Sequence, residues 1–162
     1  MAKVKTNAMR ILDTQKVPYE ILSYDANDGK IDGVTVAGKI GRDAAQVYKT
    51  LVAVGASKNL YVFVIPVEAE LDLKKAAKEA GEKKVEMLPV KDIQKFTGYI
   101  RGGCSPIGMK KNYPTFLNES AKQIETIIVS AGKIGFQIEL EPDQLIQATE
   151  GKYANLVTAK KD

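Results

Sequence analysis

Residues 100–111, IRGGCSPIGMKK, combine three glycines, a proline and a serine with two terminal lysines. Glycine has no Cβ, so its backbone adopts positive φ and lets a ligand approach bare N–H groups. Pro106 fixes φ at one point and gives the loop a defined shape. Successive N–H groups that point the same way would bind a carbonyl oxygen or an anion, with Lys110 and Lys111 adding positive charge at the rim. An ordinary Gly/Pro turn would explain the pattern equally well.

The chain contains no histidine and a single cysteine. Histidine is the commonest general base and metal ligand, so its absence excludes a Ser-His-Asp or Cys-His catalytic group and a histidine zinc site. One cysteine excludes a cysteine-rich zinc site and a dithiol pair. We therefore expect neither a metal nor a cofactor. An enzyme of this composition must use backbone dipoles, lysine, hydroxyls, carboxylates or a group that its substrate supplies.

Two further candidates lie in apolar strands. Lys49 is the one charged residue in the strand predicted over residues 47–54. Such a lysine usually extends its ammonium to the surface or discourages pairing at a sheet edge, and for the residue alone we favour this interpretation, because burying an unpaired charge is costly. Ser130 lies where a strand meets a glycine turn. Its hydroxyl would either cap the turn, which we favour, or face a site.

The composition predicts one domain over residues 1–162, since this length with 44% hydrophobic residues is enough for a substantial core. No apolar run approaches the ~18 residues of a membrane span, and residues 1–5 lack the apolar segment of a signal peptide. One cysteine cannot form an internal disulfide, which favours the cytoplasm. The net charge of +4 is compatible with a polyanionic partner without proving one.

Five lysines cluster in and just after one predicted helix: Lys74, Lys75, Lys78, Lys83 and Lys84. They would form either a solvated surface or a patch that contacts phosphates. We favour the solvated surface, because Glu79 and Glu82 dilute the positive charge.

Periodicity and capping residues predict short helices and strands that are mixed along the chain. The predicted helices cover residues 6–16, 35–40, 71–80, 91–96 and 142–147. The predicted strands cover residues 19–24, 47–54, 60–65, 85–88, 113–117, 125–130 and 135–140, and a turn at 56–59 makes the second and third a hairpin. This pattern predicts an α+β fold, a single domain in which helices surround a mixed, barrel-like β-sheet.

Two stretches, QVYKTL at residues 46–51 and TGYIRGGCSPIG at residues 97–108, resemble the YbaK/EbsC family. Its members are freestanding relatives of the editing domain inserted in bacterial prolyl-tRNA synthetases. Further matches follow in the family's order: Pro18, YD at 24–25, LKKAA at 73–77, KVEM at 84–87 and residues 125–135. The resemblance therefore covers nearly the whole chain. The segment 25–33 departs from the pattern, so no contact from this loop can be carried over.

The resemblance implies an aminoacyl-tRNA deacylase that removes Cys from mischarged Cys-tRNA(Pro). The family's essential lysine corresponds to Lys49, its oxyanion-binding glycine to Gly102, and two pocket residues to Tyr24 and Ser130. It implies further substrate-binding residues beside these positions: Thr50, Gly103, Ser105 and Pro106. The implied partners are aminoacyl-tRNA and, as a candidate, prolyl-tRNA synthetase, with no membrane.

A histidine-free protein can cleave this ester if the substrate supplies the nucleophile. The thiol of a cysteinyl ester would attack its own carbonyl and release tRNA and a thiolactone, which is formally a lyase reaction. Positioning contributes up to about 7–11 kcal/mol in ideal intramolecular cases, and each oxyanion donor about 3–4 kcal/mol. The Gly102 N–H would face the oxyanion, and Lys49 would anchor the ribose-phosphate end or the carbonyl. Two alternatives stay open: hydrolysis of Ala-tRNA(Pro) by a positioned water, and a non-catalytic regulatory or binding protein.

Cys104 lies in the glycine loop but is not the expected nucleophile. A catalytic cysteine needs a lowered pKa, usually from a histidine, a lysine or a helix N-terminus, and the chain has no histidine. The residue also falls at the variable position of the family's Gly-Gly-x-Ser-Pro pattern.

We predict that Lys49→Ala abolishes deacylation without unfolding the protein, because the substitution removes the charge at the family's lysine position. Thermal melts and turnover of Cys-tRNA, measured for both proteins, check this. Full activity of the variant would instead favour a lysine that only reaches the surface.

Overall fold

The structure, a computed structural model, describes residues 5–30 and 32–158. The prediction about a signal peptide falls, apart from Lys5, outside this part of the chain. Five α-helices occur in it: α1 Asn7–Thr14, α2 Gly33–Lys39, α3 Leu73–Ala80, α4 Val90–Thr97 and α5 Pro142–Thr149. None of them combines the length and the apolar character that crossing a bilayer requires.

Eight strands are present in the same residues: β1 Glu20–Ser23, β2 Tyr48–Gly55, β3 Leu60–Pro66, β4 Val85–Met87, β5 Thr115–Asn118, β6 Ile127–Ser130, β7 Phe136–Leu140 and β8 Lys152–Ala154. They form an antiparallel sheet of order β1-β7-β6 and a mixed sheet of order β4-β2-β3-β5-β8. In the mixed sheet β4, β2 and β3 are antiparallel, whereas β5 and β8 add in parallel. The mixed α+β prediction is confirmed.

The barrel-like part of that prediction is not supported, because neither sheet closes on itself among residues 5–30 and 32–158. The two sheets meet through an isolated parallel bridge between Val47 and Ile128. A barrel needs a continuous ladder between its first and last strands, and one bridge does not supply it. The assignment of residues 1–162 to one domain stays a prediction.

Local sequence signals set the helix ends. The Thr6 hydroxyl accepts a bond from Met9 N–H at the start of α1, and the Asp72 carboxylate accepts bonds at the start of α3. Helices α3 and α4 end at Gly81 and Gly98, which have φ of +72° and +85°. The predicted turn is confirmed: a tight loop over residues 56–59 connects β2 to β3.

Strand β3 is buried on both faces, which explains its unbroken apolar sequence LYVFVIP. Val62 and Val64 pack with α1, α5 and the β6–β7 pair on one face. Phe63 and Ile65 pack with α3 on the other, where the Phe63 and Phe116 rings stack with centroids 5.5 Å apart. Burying each such large side chain stabilises the fold by about 1.5–3 kcal/mol.

The glycine loop after α4 is fixed by hydrogen bonds at both ends. Tyr99 is 8% exposed and its hydroxyl donates to Ile107 O at 2.7 Å, while the Asn7 side chain donates to Gly108 O at 2.8 Å. Inside the loop, Ser105 Oγ accepts a bond from Ile107 N–H at 3.2 Å. The loop therefore has a defined shape, as its proline and glycines predict.

A charged network attaches the segment before β2 to β7. Both guanidinium nitrogens of Arg42 donate to Glu139 at 2.8 Å, and the Gln46 and Thr126 side chains donate to the same carboxylate at 2.9 and 2.6 Å. Burial alone would raise the pKa of Glu139, but the hydrogen bonds from Thr126 and Arg42 outweigh it and lower the pKa below 4.5. The network holds the chain that leads into β2 against the smaller sheet.

We predict that Glu139→Gln lowers the free energy of unfolding by about 1–3 kcal/mol at pH 7, because the ionised acceptor of several hydrogen bonds is lost. The folded-state pKa is depressed, so this contribution is present above the unfolded-state pKa and is lost as pH falls through the folded-state value. The difference from wild type should narrow below about pH 4.5. Urea unfolding at several pH values measures it.

Glu79→Gln is the matched control for that experiment, since it removes an exposed carboxylate of α3. A gap between Glu139→Gln and wild type that stays constant from pH 7 to pH 3 would contradict the assigned role of the charge.

Candidate active site

A cavity of about 120 Å³ opens where the two sheets meet. Its walls come from six segments of the chain and are lined by Gly33, Val36, Val47, Tyr48, Lys49, Thr50, Val67, Gly102, Cys104, Ser130 and Gln137. Four of the eight predicted site residues are among them: Lys49, Thr50, Gly102 and Ser130. Three larger and more open grooves on the described surface contain none of the eight. Half of the predicted residues thus converge on this cavity.

Lys49 is half-buried near the start of β2, opposite the fully buried Ile65 of β3. Strand β4 pairs with β2 only from Ala53 onward, so at Lys49 the strand has one ladder neighbour. Within the described residues its ammonium takes part in none of the four ion pairs. An ammonium with no carboxylate partner at the wall of a cavity is available to a negatively charged or carbonyl group of a ligand.

Gly102 lies in the glycine loop at φ +85°, a conformation that side chains with a Cβ rarely adopt. The adjacent Gly103 N–H bonds back to Ile100 O at 3.0 Å and closes a tight turn. A Cβ on Gly103 would lie 3.0 Å from Ile134 N, so the loop packs closely on the turn that follows β6. The glycines therefore serve both the backbone conformation and the close approach of two loops.

Ser130 ends β6, and its hydroxyl accepts a bond from Gly132 N–H at 3.2 Å. The favoured prediction, that this hydroxyl caps the glycine turn, is confirmed, and the residue also lines the cavity. Gln137 of β7 pairs with Ser130 across the small sheet and is only 6% exposed. A serine and an amide thus contribute polar groups to the same wall.

Two hydroxyls among the predicted substrate-binding residues are buried without a hydrogen-bond partner in the described part of the protein: Thr50 Oγ1 and Tyr24 OH. An unsatisfied buried hydroxyl costs about 1–3 kcal/mol. Thr50 lines the cavity. Tyr24 does not, and its backbone N–H bonds to Gly135 O at 2.9 Å beside the same turn. A bound ligand that supplies the missing hydrogen-bond partner is one explanation for such atoms.

Gly103, Ser105 and Pro106 are not brought to the cavity wall. Gly103 is buried against residues 133–134, and Ser105 is 0% exposed with its hydroxyl used inside the loop. Pro106 lines a different, very small cleft beside Thr149. In the described structure these three residues shape the loop that carries Gly102.

Sequence reasoning missed several wall residues, of which Gln137 is the most polar. Its strand alternates as Phe-Gln-Ile-Glu-Leu, which suggests a solvated position for the glutamine. The residue lines the cavity together with Val36 of α2 and Gly102 of the glycine loop, which are distant in the sequence, so its burial is not encoded locally. No local signal identifies it, because an alternating strand commonly places such a side chain in solvent.

Cys104 also lines the cavity, and burial raises the pKa of its thiol to about 11. The thiol is therefore neutral near pH 7 and is a poor nucleophile. Within the described residues no three His, Cys, Asp or Glu side chains cluster in a way that could hold a metal ion. The cavity offers an ammonium, hydroxyls, an amide and backbone dipoles as its chemical groups.

Residues 33–148 match the model of the aminoacyl-tRNA editing domain. The chain is 51% identical over 154 residues to a protein of Enterococcus faecalis (strain ATCC 700802 / V583), named as a candidate Cys-tRNA(Pro)/Cys-tRNA(Cys) deacylase, EbsC; the match covers 95% of this chain and 94% of that protein. This chain belongs to the aminoacyl-tRNA editing domain family. A second relative, YwhH of Bacillus subtilis (strain 168), is 28% identical over 133 residues, covering 82% of this chain and 83% of that one.

Solved structures share the fold. A candidate trans-editing enzyme for prolyl-tRNA synthetase has a TM-score of 0.82 and 22% identity, and the match covers 97% of this chain and all of that one. The hypothetical protein APE2540 has a TM-score of 0.86 and 18% identity, over 94% of this chain and all of the other. The predicted family resemblance is confirmed, and the fold is shared with both of these solved structures.

We predict that Cys104→Ala keeps most of the deacylase activity, because a neutral thiol does not attack the ester. The wild-type thiol should also react with iodoacetamide far more slowly than a free cysteine at pH 7.5, since its pKa is raised to about 11. Mass spectrometry of labelled protein and turnover of Cys-tRNA measure the two effects. A trapped thioester on Cys104, or an inactive variant with a normal melt, would contradict the assignment.

Proposed function

We propose that the protein is a trans-editing aminoacyl-tRNA deacylase that removes cysteine from mischarged Cys-tRNA(Pro). The observation that carries the proposal is the convergence of Lys49 and Gly102, far apart in the sequence, on one small cavity in a chain of the editing-domain family. The name of the Enterococcus relative, which mentions Cys-tRNA(Pro) and Cys-tRNA(Cys), supports the same substrate class.

The size of the cavity favours a small aminoacyl group. Pockets for drug-sized ligands usually measure about 300–1,000 Å³, whereas this one measures about 120 Å³. The cysteinyl moiety enters it, and the terminal ribose stays at the mouth. Large side chains are excluded by the walls that Val36, Val47 and Val67 supply.

In the proposed reaction the substrate's own thiol is the nucleophile. Its sulfur forms a bond to the ester carbonyl carbon, the carbon–oxygen bond to the ribose breaks, and the thiol proton ends on the ribose oxygen. The products are a thiolactone and tRNA with a free terminal hydroxyl. No protein side chain forms a covalent bond in this scheme, which agrees with a neutral Cys104 and a chain without histidine.

The protein's part is positioning and charge stabilisation. The Gly102 N–H stabilises the oxyanion of the tetrahedral intermediate, and the Lys49 ammonium anchors the carbonyl or the adjoining ribose-phosphate. Thr50 and Ser130 contact the aminoacyl group, and Tyr24 completes the pocket from the neighbouring loop. Such preorganised groups accelerate a reaction without changing protonation state, because their dipoles already point at the developing charge.

The proposed function also implies a cellular compartment and a protein partner. A trans-editing enzyme meets aminoacyl-tRNA after its release, so the cytoplasm is the expected compartment. Prolyl-tRNA synthetase is a candidate partner, since it produces the mischarged tRNA. This candidate partner is consistent with the shared fold of a candidate trans-editing enzyme for prolyl-tRNA synthetase.

The decisive experiment compares cysteinyl-, seryl- and alanyl-tRNA(Pro) as substrates under identical conditions. We predict that cysteinyl-tRNA is cleaved at least 100-fold faster than seryl-tRNA (about 2.7 kcal/mol, at 1.36 kcal/mol per tenfold), because a hydroxyl is a much poorer nucleophile in the same place. Mass spectrometry of the released amino acid distinguishes a thiolactone from free cysteine.

Equal rates for cysteinyl- and seryl-tRNA would refute the substrate-thiol mechanism and favour an activated water. Preference for alanyl-tRNA(Pro) would identify a hydrolase of the same fold. No cleavage of any of the three would point to a regulatory or binding protein.

A further inference from the structure

Two exposed cations adjoin the cavity from neighbouring loops. Arg101 directly precedes Gly102, and Lys133 lies in the turn that begins at Ser130. These loops touch, because a Cβ on Gly103 would lie 3.4 Å from Lys133 Cα and 3.0 Å from Ile134 N. We call these two touching segments, which also carry the cavity-lining residues Gly102 and Ser130, the ridge.

Both cations are available to a ligand. In the part of the chain that the structure describes, neither Arg101 nor Lys133 takes part in an ion pair. Lys133 Nζ lies 5.7 Å from the centroid of the Phe136 ring, a contact that steadies the ammonium without neutralising it. By contrast, Lys39 is bound to Asp28 at 2.8 Å and to two backbone carbonyls. The ridge thus keeps two unneutralised charges.

The charged residues that adjoin the cavity-lining residues in sequence differ from one wall to another. None of the cavity-lining residues is acidic. Two exposed carboxylates, Asp32 and Glu68, adjoin the lining residues Gly33 and Val67, which contact each other. The acidic groups therefore flank the wall made by α2 and the end of β3, and the cations flank the wall made by the two loops. This distribution of charge favours a polyanion on the loop side over one on the α2 side.

We propose that Arg101 and Lys133 form a cationic rim that binds the backbone phosphates of the unpaired 3′-terminal nucleotides of the aminoacyl-tRNA. The inference rests on the proposed function and adds the residues that hold the RNA while its aminoacyl end occupies the cavity. Exposed Ile100, beside Arg101 and 48% accessible, gives an unstacked base an apolar surface to cover. Arg101 and Lys133 are positioning residues, since the reacting ester lies deeper, at Lys49 and Gly102.

The test compares a double variant, Arg101→Ala with Lys133→Ala, with a charge-matched control, Lys74→Ala with Lys78→Ala. The control removes two exposed lysines of α3, a helix that contributes no residue to the cavity. Binding of uncharged tRNA is measured by fluorescence anisotropy between low and physiological salt. The rim variant should reduce the magnitude of the negative slope of log K against log salt by about 1.4, which is two contacts at about 0.7 each for a single strand.

A second readout separates RNA binding from chemistry. For Cys-tRNA(Pro) the rim variant should lose about tenfold in kcat/KM, chiefly through KM, because two phosphate contacts are missing. For cysteinyl-adenosine, which has no internucleotide phosphate, the same variant should match wild type. The control variant should match wild type on both substrates, and thermal melts verify that all proteins are folded.

Each contrary outcome is specific. An unchanged salt slope with unchanged kinetics on Cys-tRNA would overturn the rim, as would an equal loss on cysteinyl-adenosine, which would indicate a structural role. If the α3 control variant, and not the rim variant, shows the shallower salt dependence of tRNA binding, RNA binding belongs to that helix and the rim is refuted. A wild-type protein that binds tRNA through the rim but cleaves no aminoacyl ester would uphold the rim and refute the proposed function.

Discussion

The site depends on one packing contact, the burial of Tyr99 between the glycine loop and the turn after β6. The Tyr99 hydroxyl bonds to Ile107 O inside its own loop, and a Cβ on Gly132 would lie 2.8 Å from the ring. The ring thus fixes the loop internally and also sets its distance to the neighbouring turn. Gly102 and Ser130, which line the cavity, lie on these two segments, so the contact holds together the two loops that carry them.

The second requirement is the seam between the two sheets. Val47 and Ile128 form an isolated bridge, and the Arg42–Glu139 pair holds the chain immediately before β2 against β7. Lys49 follows two residues after the bridge. A residue that pairs with β3 just after this bridge has little backbone freedom, which is the condition for positioning without covalent catalysis.

Much of the fold was readable from the sequence, because local signals agreed with the final structure. Thr6, Asp72, Gly81 and Gly98 act at the helix ends as their types predict. The sequence did not predict strand β8, which has three residues and pairs in parallel with β5. Three residues are too few to show a periodicity, and the pairing is a contact between distant parts of the sequence. The predicted barrel-like sheet is not supported, because strand number and length do not specify whether two sheets join along a ladder or at one bridge.

The site was predicted less completely than the fold, for a related reason. Lys49, Thr50, Gly102 and Ser130 were identified from a family pattern, and the cavity unites them. Residue types alone left Lys49 as a surface lysine and Ser130 as a turn cap, since neither signal contains the three-dimensional neighbourhood. Gln137 had no such pattern, and its burial depends on loops distant in sequence.

The edges of the larger sheet have a consequence for how such a protein exists in solution. Its outer strands, β4 and β8, have only three residues each, and charged side chains, Glu86 and Lys152, stand on them. Short, charged edges offer few unpaired backbone groups to another chain and so resist strand addition. Copies of the protein can therefore accumulate without the larger sheet of one copy joining that of another edge to edge.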